Sequence, residues 1–527
     1  MKKNIIIAIA ALFAFGQGAW AQNQETLNLE TDVENNYLIS SAENLKTLSA
    51  YVNAGNNCSG KKFKVTTDIT FGESEFVPIG KVEYDENGTP NYDKGFKGSF
   101  DGNNKTIKGL KVNKTDIEGV GLFGIVSYPG VVKNIKLSEC EFIGSLCVGA
   151  IAGEYAGNGD EISEWGIYDC EVTNDVTVKA VSGEDDDALP AWYAGGIIGS
   201  ANVATVKNCI SSAKVSGEEY VGGIAGQMCK SDSYFGRLID CYYTGESGNV
   251  TATTNKYVNV IVGLNGEVND NDEFEEGTAG SLAITLFDDD SNDIKNATRL
   301  ENYNSLTCDV TVNSRTLYKD GSWNTLCLPF NVIKIADTPL TGAMVKTLSS
   351  SSFADGKLTL NFTAPSKDAC DIEAGKPYMV KWDSGDPVSN PVFNGVAIVG
   401  VTTDVVTDYV DFKGNYSPVA LTAGDKTVLY MGSSNHLYYP NASFNINAFR
   451  GYFKLKGLTI GELSTSEEVN SIVLNFGDDA TGIDETSNLK PQTSDHSPWF
   501  SLDGRRINGH PTAKGVYINN GKKMVIK

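Results

Sequence analysis

Histidine is nearly missing from this chain: His436, His496 and His510 are the three in 527 residues. None of them stands in a motif with a serine, cysteine or acidic partner. A histidine-based triad or zinc site therefore lacks its usual base or ligand. No CxxC pair occurs, which removes zinc ribbons and dithiol redox motifs. No HExxH occurs either. Positive charge is short: 43 Lys and Arg stand against 66 Asp and Glu, for a net charge of −23. So acidic a chain repels phosphate backbones, and nucleic-acid binding is excluded on that ground. Beyond residue 21 no run of eighteen apolar residues occurs, so the mature chain is expected to hold no transmembrane helix. Proline is scarce at 15 residues.

Glycine is abundant, 55 residues, and it weakens helix interiors by about 1 kcal/mol each, so wholesale helix is not expected. The first residues carry an address. Met1-Lys2-Lys3-Asn4 is basic, Ile5 to Phe15 is apolar, and Ala19-Trp20-Ala21 is a small-x-small cleavage pattern. Residues 1–21 thus read as a secretory signal peptide, too short to span a bilayer, and export through the Sec pathway is expected. The mature protein is placed at the cell surface, outside the cell or in association with the outer membrane.

A repeat occupies residues 37–270, after a lead at 22–36. Glycine-rich apolar units recur as GLFG (121–124), AIAG (150–153), GIIG (196–199), GIAG (223–226) and VIVG (260–263). Their last glycines are 29, 46, 27 and 37 residues apart. Short strands punctuated by glycine at a loose period predict a stacked array, with irregular spacing produced by loop insertions. The repeat-turn glycines are Gly121, Gly124, Gly153, Gly196, Gly199, Gly223, Gly226 and Gly263. Four of the ten cysteines, Cys140, Cys170, Cys209 and Cys241, stand at one point of the repeat. Equivalent positions of a solenoid stack, and free cysteine behaves as a small buried hydrophobe. A mostly reduced ladder is therefore favoured over the disulfides that export would otherwise suggest.

These units resemble GLUG repeats, known from surface proteins of Gram-negative gut and oral bacteria and from some immunoglobulin A peptidases. The lead-in resembles them too: a helix-like SAENLKTLSAYVNAG (41–55), then GKKFKVTTDIT, FVPIG (76–80) and FKGSFDGNNKTIKGL (96–110). The resemblance implies an all-β fold, a right-handed parallel β-helix capped by a short N-terminal helix. It implies no reaction, because the peptidase relatives carry their metal site outside the repeats.

Residues 271–299 are acidic and lose the period, and are read as a linker. From 300 to 477 about ten short alternating segments, among them KLTLNF, PYMVKW and YVDFKG, predict a β-sandwich-like domain. WNTLCLPF (323–330) and FRGYF (449–453) resemble a module attached to Bacteroidales surface proteins, without a defined activity. Residues 478–497 read as a second linker. The last stretch, 498–527, with WFSLDGRRI and KGVYINNGKKMVIK, resembles a shortened type IX secretion sorting module of three short strands.

Catalytic chemistry finds little support. Glu184, Asp185, Asp186 and Asp187 read as an insertion loop, and Asp288, Asp289, Asp290 and Asp293 as linker, so both are solvated acidic runs. Such oxygen-rich loops could bind calcium weakly, but no cofactor and no metal site is expected. Aromatic side chains are the stronger binding signal: Trp165, Tyr168, Trp192 and Tyr193 in the insertion region, and Tyr242 and Tyr243 after Cys241. The expectation is a non-enzymatic surface adhesin or recognition protein for a glycan or protein ligand. A β-helix polysaccharide lyase or hydrolase and a structural spacer are the alternatives.

Overall fold

The computed structural model describes residues 27–477 except 73–74, 158–164, 184–188, 232–233, 255, 268–274, 276–277, 367–369, 433–434 and 462–467, together with four strand pieces after residue 498. The leader at 1–21, the acidic run Glu184 to Asp187 and the linker at 478–497 lie outside the described residues. Four sheets of mainly parallel strands run along a solenoid, each strand paired with its counterpart one coil on. The main sheet takes Asn36–Ile39, Lys62–Val65, Ser99–Lys108, Val131–Ser138, Gly166–Tyr168, Thr205–Lys207 and Arg237–Ile239 in order. Alternation along each strand sends every second side chain inward. Register then stacks Phe63, Phe100, Val132, Ile167, Val206, Leu238 and Leu282 into one buried column. The second sheet runs Lys111–Lys114, Glu141–Gly144, Thr177–Ala180, Lys214–Gly217, Val250–Ala252. The third runs Val148–Gly149, Trp192–Gly195, Glu219–Gly222, Val258–Asn259. The fourth runs Phe123–Ser127, Ala152–Ala156, Ile198–Asn202, Ala225–Ser231, Val262–Asn265.

The first helix, α1 (Ala42–Asn53), begins where the Ser41 hydroxyl accepts from the Asn44 N–H at 3.2 Å. Leu45, Leu48 and Val52 form its buried stripe. Ser49 donates to the Val77 carbonyl at 2.7 Å, and Asn53 bonds both the Pro78 carbonyl (2.9 Å) and the Gly80 N–H (3.0 Å). The helix is thereby tied to FVPIG, over the open end of the first coils.

The stretch read as an acidic linker is part of the fold. Ser281–Phe287 buries Leu282, Ile284 and Leu286 on alternate positions and extends the main sheet, parallel to Arg237–Ile239. Thr307–Asn313 adds a further parallel strand, and Val392–Ala397 from the next domain closes the edge antiparallel. The acidic residues on either side conceal a three-residue alternation, which is why the strand is hard to read in sequence. Asp288 is no solvated linker residue. It is 4% exposed and takes both guanidinium nitrogens of Arg450, with Arg315 Nη1 at 3.6 Å. Its carbonyl accepts from Ala448 N–H at 2.7 Å. A buried carboxylate needs such partners, and here they come from the downstream domain. Helix α2 (Asn296–Asn302) lies beside it, where Asn296 donates to the Tyr416 carbonyl at 3.0 Å.

The downstream domain is a sandwich of two five-stranded sheets. One runs Asn324–Cys327, Pro377–Lys381, Met344–Ala354, Lys357–Thr363, Ser471–Asn475. The other runs Val405–Val406, Val410–Asn415, Arg450–Leu455, Val428–Met431, Leu437–Tyr438. Leu358, Leu360 and Phe362 of the first meet Phe412 and Phe453 of the second in one core, with Phe412 and Phe453 stacked at 4.3 Å. At the C-terminus four short antiparallel strands, rather than three, form a small sheet: Trp499–Ser501, Arg506–Ile507, Gly515–Asn519 and Lys522–Ile526.

Candidate functional site

Each coil enters the third sheet through a left-handed residue. These are Gly119 (φ 81°), Cys147 (59°), Tyr193 (59°), Tyr220 (58°) and Tyr257 (49°), and the pairs Val120–Val148, Val148–Ala194, Ala194–Val221 and Val221–Val258 hold them in register. The last glycine of each repeat unit presses on the left-handed residue one coil back. A Cβ on Gly199 would lie 2.5 Å from the carbonyl carbon of Cys147, and one on Gly226 would lie 2.3 Å from that of Tyr193. None of the eight repeat glycines has a positive φ itself. They are needed for close backbone approach, while the strained conformation belongs to the residue opposite.

This contact folds the fourth sheet against the third and opens a groove between them. On the fourth sheet, the residue after each last glycine points outward: Glu154, Ser200 and Gln227 stand in register on successive coils. On the other wall stand Cys147 and Tyr193. With Glu118, Asn202, Cys229 and Glu267 they line a cavity of about 330 Å³. Tyr92 donates to Glu154 Oε1 at 3.0 Å, Tyr84 bonds Glu118, and Ser200 donates to Gln227 Oε1 at 3.3 Å. Gln227 in turn donates to the Gly266 carbonyl at 3.0 Å. Glu154 Oε2 and Asn202 Oδ1 are buried without a hydrogen-bond partner.

Burial, reinforced by the charge of Glu118 and opposed by the Tyr92 hydroxyl, lifts the Glu154 carboxyl to about 8. Burial alone raises Glu118. Cys147 is pushed far up by burial first and the Glu154 charge second, and Cys229 rises to about 12 by burial and then Glu267. The cavity thus favours the protonated form of Glu154 at neutral pH. Beside it Tyr193, Tyr220 and Tyr257 stack ring on ring at 5.1 Å steps, with Trp192 edge-on to Tyr220 at 5.7 Å.

The aromatic residues singled out in sequence divide. Trp192 and Tyr193 lie half-buried at the groove. Tyr242 and Tyr243 do not display anything: each is 2% exposed, and Tyr243 donates to the Ala213 carbonyl at 2.8 Å while Tyr242 lies under Arg299. They follow the corner of the main sheet and pack inward against α2. Trp165 packs half-buried against Tyr128 at 5.8 Å, and Tyr168 is half-buried on the main sheet, away from the groove. The cysteine ladder is shorter than its spacing suggests. Cys170, Cys209 and Cys241 stack with facing thiols, but the register of Glu171 with Lys136 puts Ile135 in that column. Cys140 falls five residues on, level with Leu110 and Val176. Its KLSEC resembles the other corners in sequence, and Glu139 before it is left-handed like Asp169, Asn208 and Asp240. Yet the left-handed residue level with Asp169 is Asn134, so Cys140 stands at a different corner of its coil. All ten cysteines are buried free thiols.

Sequence reasoning missed Glu118, Cys147, Glu154, Ser200, Tyr220, Gln227 and Glu267. A signal for most of them exists: the residue two before the first small pair of each unit and the residue just after its last glycine mark the two walls. Read as CVGAIAGE, YAGGIIGS and YVGGIAGQ, the unit is eight residues long rather than four.

Fold and site together define a parallel β-solenoid carrying an acidic, hydrogen-bonding groove, joined to a β-sandwich. No family model matches the chain. Over 138 residues it is 30% identical to Halomucin of Haloquadratum walsbyi, which covers 25% of this chain and 2% of that protein. Over 140 residues it is 30% identical to a protein of Evansella cellulosilytica named provisionally as a Gly-rich membrane protein, covering 25% of this chain and 14% of the other. The chain therefore spans a small part of the length of either relative. Among solved structures, one named provisionally as an immunoglobulin A1 protease from Bacteroides ovatus aligns with a TM-score of 0.34 and 22% identity, over 50% of this chain and 70% of that one. No helix among the described residues is long and apolar enough to cross a membrane.

Proposed function

We propose that this chain is a non-enzymatic exported protein of the cell surface, of GLUG-repeat type, that recognises a glycan along the solenoid groove. The observation that carries the reading is the row Glu154, Ser200 and Gln227, one polar side chain per coil beside the Tyr193 hydroxyl. Coils follow one another at about 4.8 Å, so an extended polyhydroxyl chain meets a new hydrogen-bonding group at each step. Stacked strands hold these groups in place before binding, which lowers the ordering entropy lost on association. Tyr220 has both faces covered by Tyr193 and Tyr257, and this reading rests recognition on hydrogen bonding rather than on rings stacked against sugar. The names Halomucin and Gly-rich membrane protein support a surface setting. The leader and the sorting-type tail supply the export route in this reading.

The test is binding of the purified chain without residues 1–21 to a panel of glycans, mucins and matrix proteins. Saturable glycan binding, weakened by Gln227→Ala and by Tyr193→Phe, is expected. Silence across the glycans, or binding indifferent to both substitutions, refutes the groove as the site. A second reading, a hydrolase, draws on the pair Glu118 and Glu154, since two carboxyl groups are the machinery of glycoside hydrolysis and a raised one serves as acid. Reducing ends released from the same panel, and lost in Glu154→Gln, would establish it in place of the first.

A further inference from the structure

Hydrogen bonding does not account for the composition of the cavity beside Tyr193. Glu118, Cys147 and Glu154 each offer a ligand atom, and these three atoms lie within 4.8 Å of one another. Glu118 precedes the left-handed Gly119, Cys147 is the left-handed residue of the next coil, and Glu154 follows Gly153 on the fourth sheet. Stacking of coils, not a flexible loop, brings them together. Glu154 is 5% exposed, and only its Oε1 is used, by Tyr92; Oε2 is buried against the cavity with no partner. Asn202 Oδ1 is a second buried acceptor without a donor on the same lining. Cys229 and Glu267 complete the wall, and no lysine, arginine or histidine is among the residues lining it. Three carboxyl groups, one of them with an idle oxygen, two thiols and the idle Asn202 Oδ1 line one cavity, a set of donor atoms that suits a cation.

We infer that Glu118, Cys147 and Glu154 bind a divalent zinc-type ion. The sulfur decides the class: calcium and magnesium take oxygen ligands, whereas a thiolate beside carboxylates selects a borderline ion such as Zn²⁺. Binding displaces the protons of the Cys147 thiol and the Glu154 carboxyl and occupies the idle Oε2. Three protein ligands leave a position for water from the open cavity. No metal is expected from sequence because the ligands stand at 118, 147 and 154, a spacing without a motif.

The inference shares the groove with the proposed recognition of glycans but needs no glycan. It is tested on the metal-free chain without residues 1–21, titrated with Zn²⁺ in excess Ca²⁺ by calorimetry, and with Co²⁺ by absorption. One zinc per chain, proton release, and a thiolate-to-cobalt charge-transfer band are expected. Glu154→Gln, which keeps the shape of the side chain, and Cys147→Ala should each abolish the saturable zinc signal, and Cys147→Ala also the band. Cys308→Ala, a buried thiol in the main sheet far along the chain, should leave both intact. Absence of saturable zinc binding, a cobalt spectrum without the thiolate band, or full zinc affinity in Glu154→Gln overturns the assignment. Loss of glycan binding with zinc binding intact refutes only the recognition reading, and the converse refutes only the metal.

Discussion

Replacing Gly226 by alanine sets a methyl carbon 2.3 Å from the carbonyl carbon of Tyr193 and 2.6 Å from both Tyr193 Cα and Ala194 N. Carbon atoms in ordinary contact stand about 3.5–4.0 Å apart, so two coils have to part by more than about 1 Å. Neither backbone is free to yield. Ile224 and Ala225 N–H groups both donate to the Ile261 carbonyl, at 3.1 and 3.0 Å, and Ala194 is held in register by Val148 and Val221. Tyr193 is already left-handed at φ 59°. Overpacking against movable side chains costs about 1–3 kcal/mol, and against fixed backbone the upper end or more applies, so roughly 3 kcal/mol is expected. At about 2–4 °C per kcal/mol for a domain of this size, the solenoid melts about 6–12 °C lower. Because a solenoid interacts coil by coil, amide exchange rises first around residues 194 and 226. Gly248→Ala is the control, since its methyl meets nothing within 4 Å and its φ is not positive. It should shift stability by no more than about 0.5 kcal/mol. If Gly226→Ala melts with the control and exchanges no faster near Tyr193, close approach is not why the repeat carries glycine.

Asp288→Ala leaves Arg315 and Arg450 facing each other without their carboxylate, and a loss of about 3–5 kcal/mol is expected. Calorimetry should then show the sandwich melting apart from the solenoid; a single unshifted transition would refute Asp288 as the joint. Tyr243→Ala removes a buried ring and its bond to Ala213, for roughly 3–5 kcal/mol by chemical denaturation, and should leave groove binding by the folded protein unchanged. Weaker binding at full stability would return Tyr243 to the surface. Denatured without reductant, the chain should expose ten free thiols that label slowly in the native state; a lower count would mean that the Cys170, Cys209 and Cys241 column oxidises.

Much of the architecture is local information. The GLFG, AIAG, GIIG, GIAG and VIVG units put their third residues Phe123, Ala152, Ile198, Ala225 and Val262 in one register of the fourth sheet, as their likeness suggests. Ser41 and the apolar spacing of Leu45, Leu48 and Val52 announce a helix, and alternation in KLTLNF and YVDFKG announces the sandwich. Where local signals compete, the reading slips. Ser281–Phe287 is hidden by the acids on both sides, and Cys140 follows a left-handed residue as Cys170, Cys209 and Cys241 do, but at another corner of the coil.

What the sequence determined by itself is which residues turn inward and where the chain can come close to itself, because both depend on period-two alternation and on the lack of a side chain at glycine. What only the tertiary structure decided is which positions of different coils meet. Insertions of unequal length separate equivalent positions by 27 to 46 residues, and only the hydrogen-bonded register of the sheets cancels them. That register sets Glu118, Cys147 and Glu154 around one cavity, aligns Ser200 and Gln227 beside them, and sends Tyr242 and Tyr243 into the core.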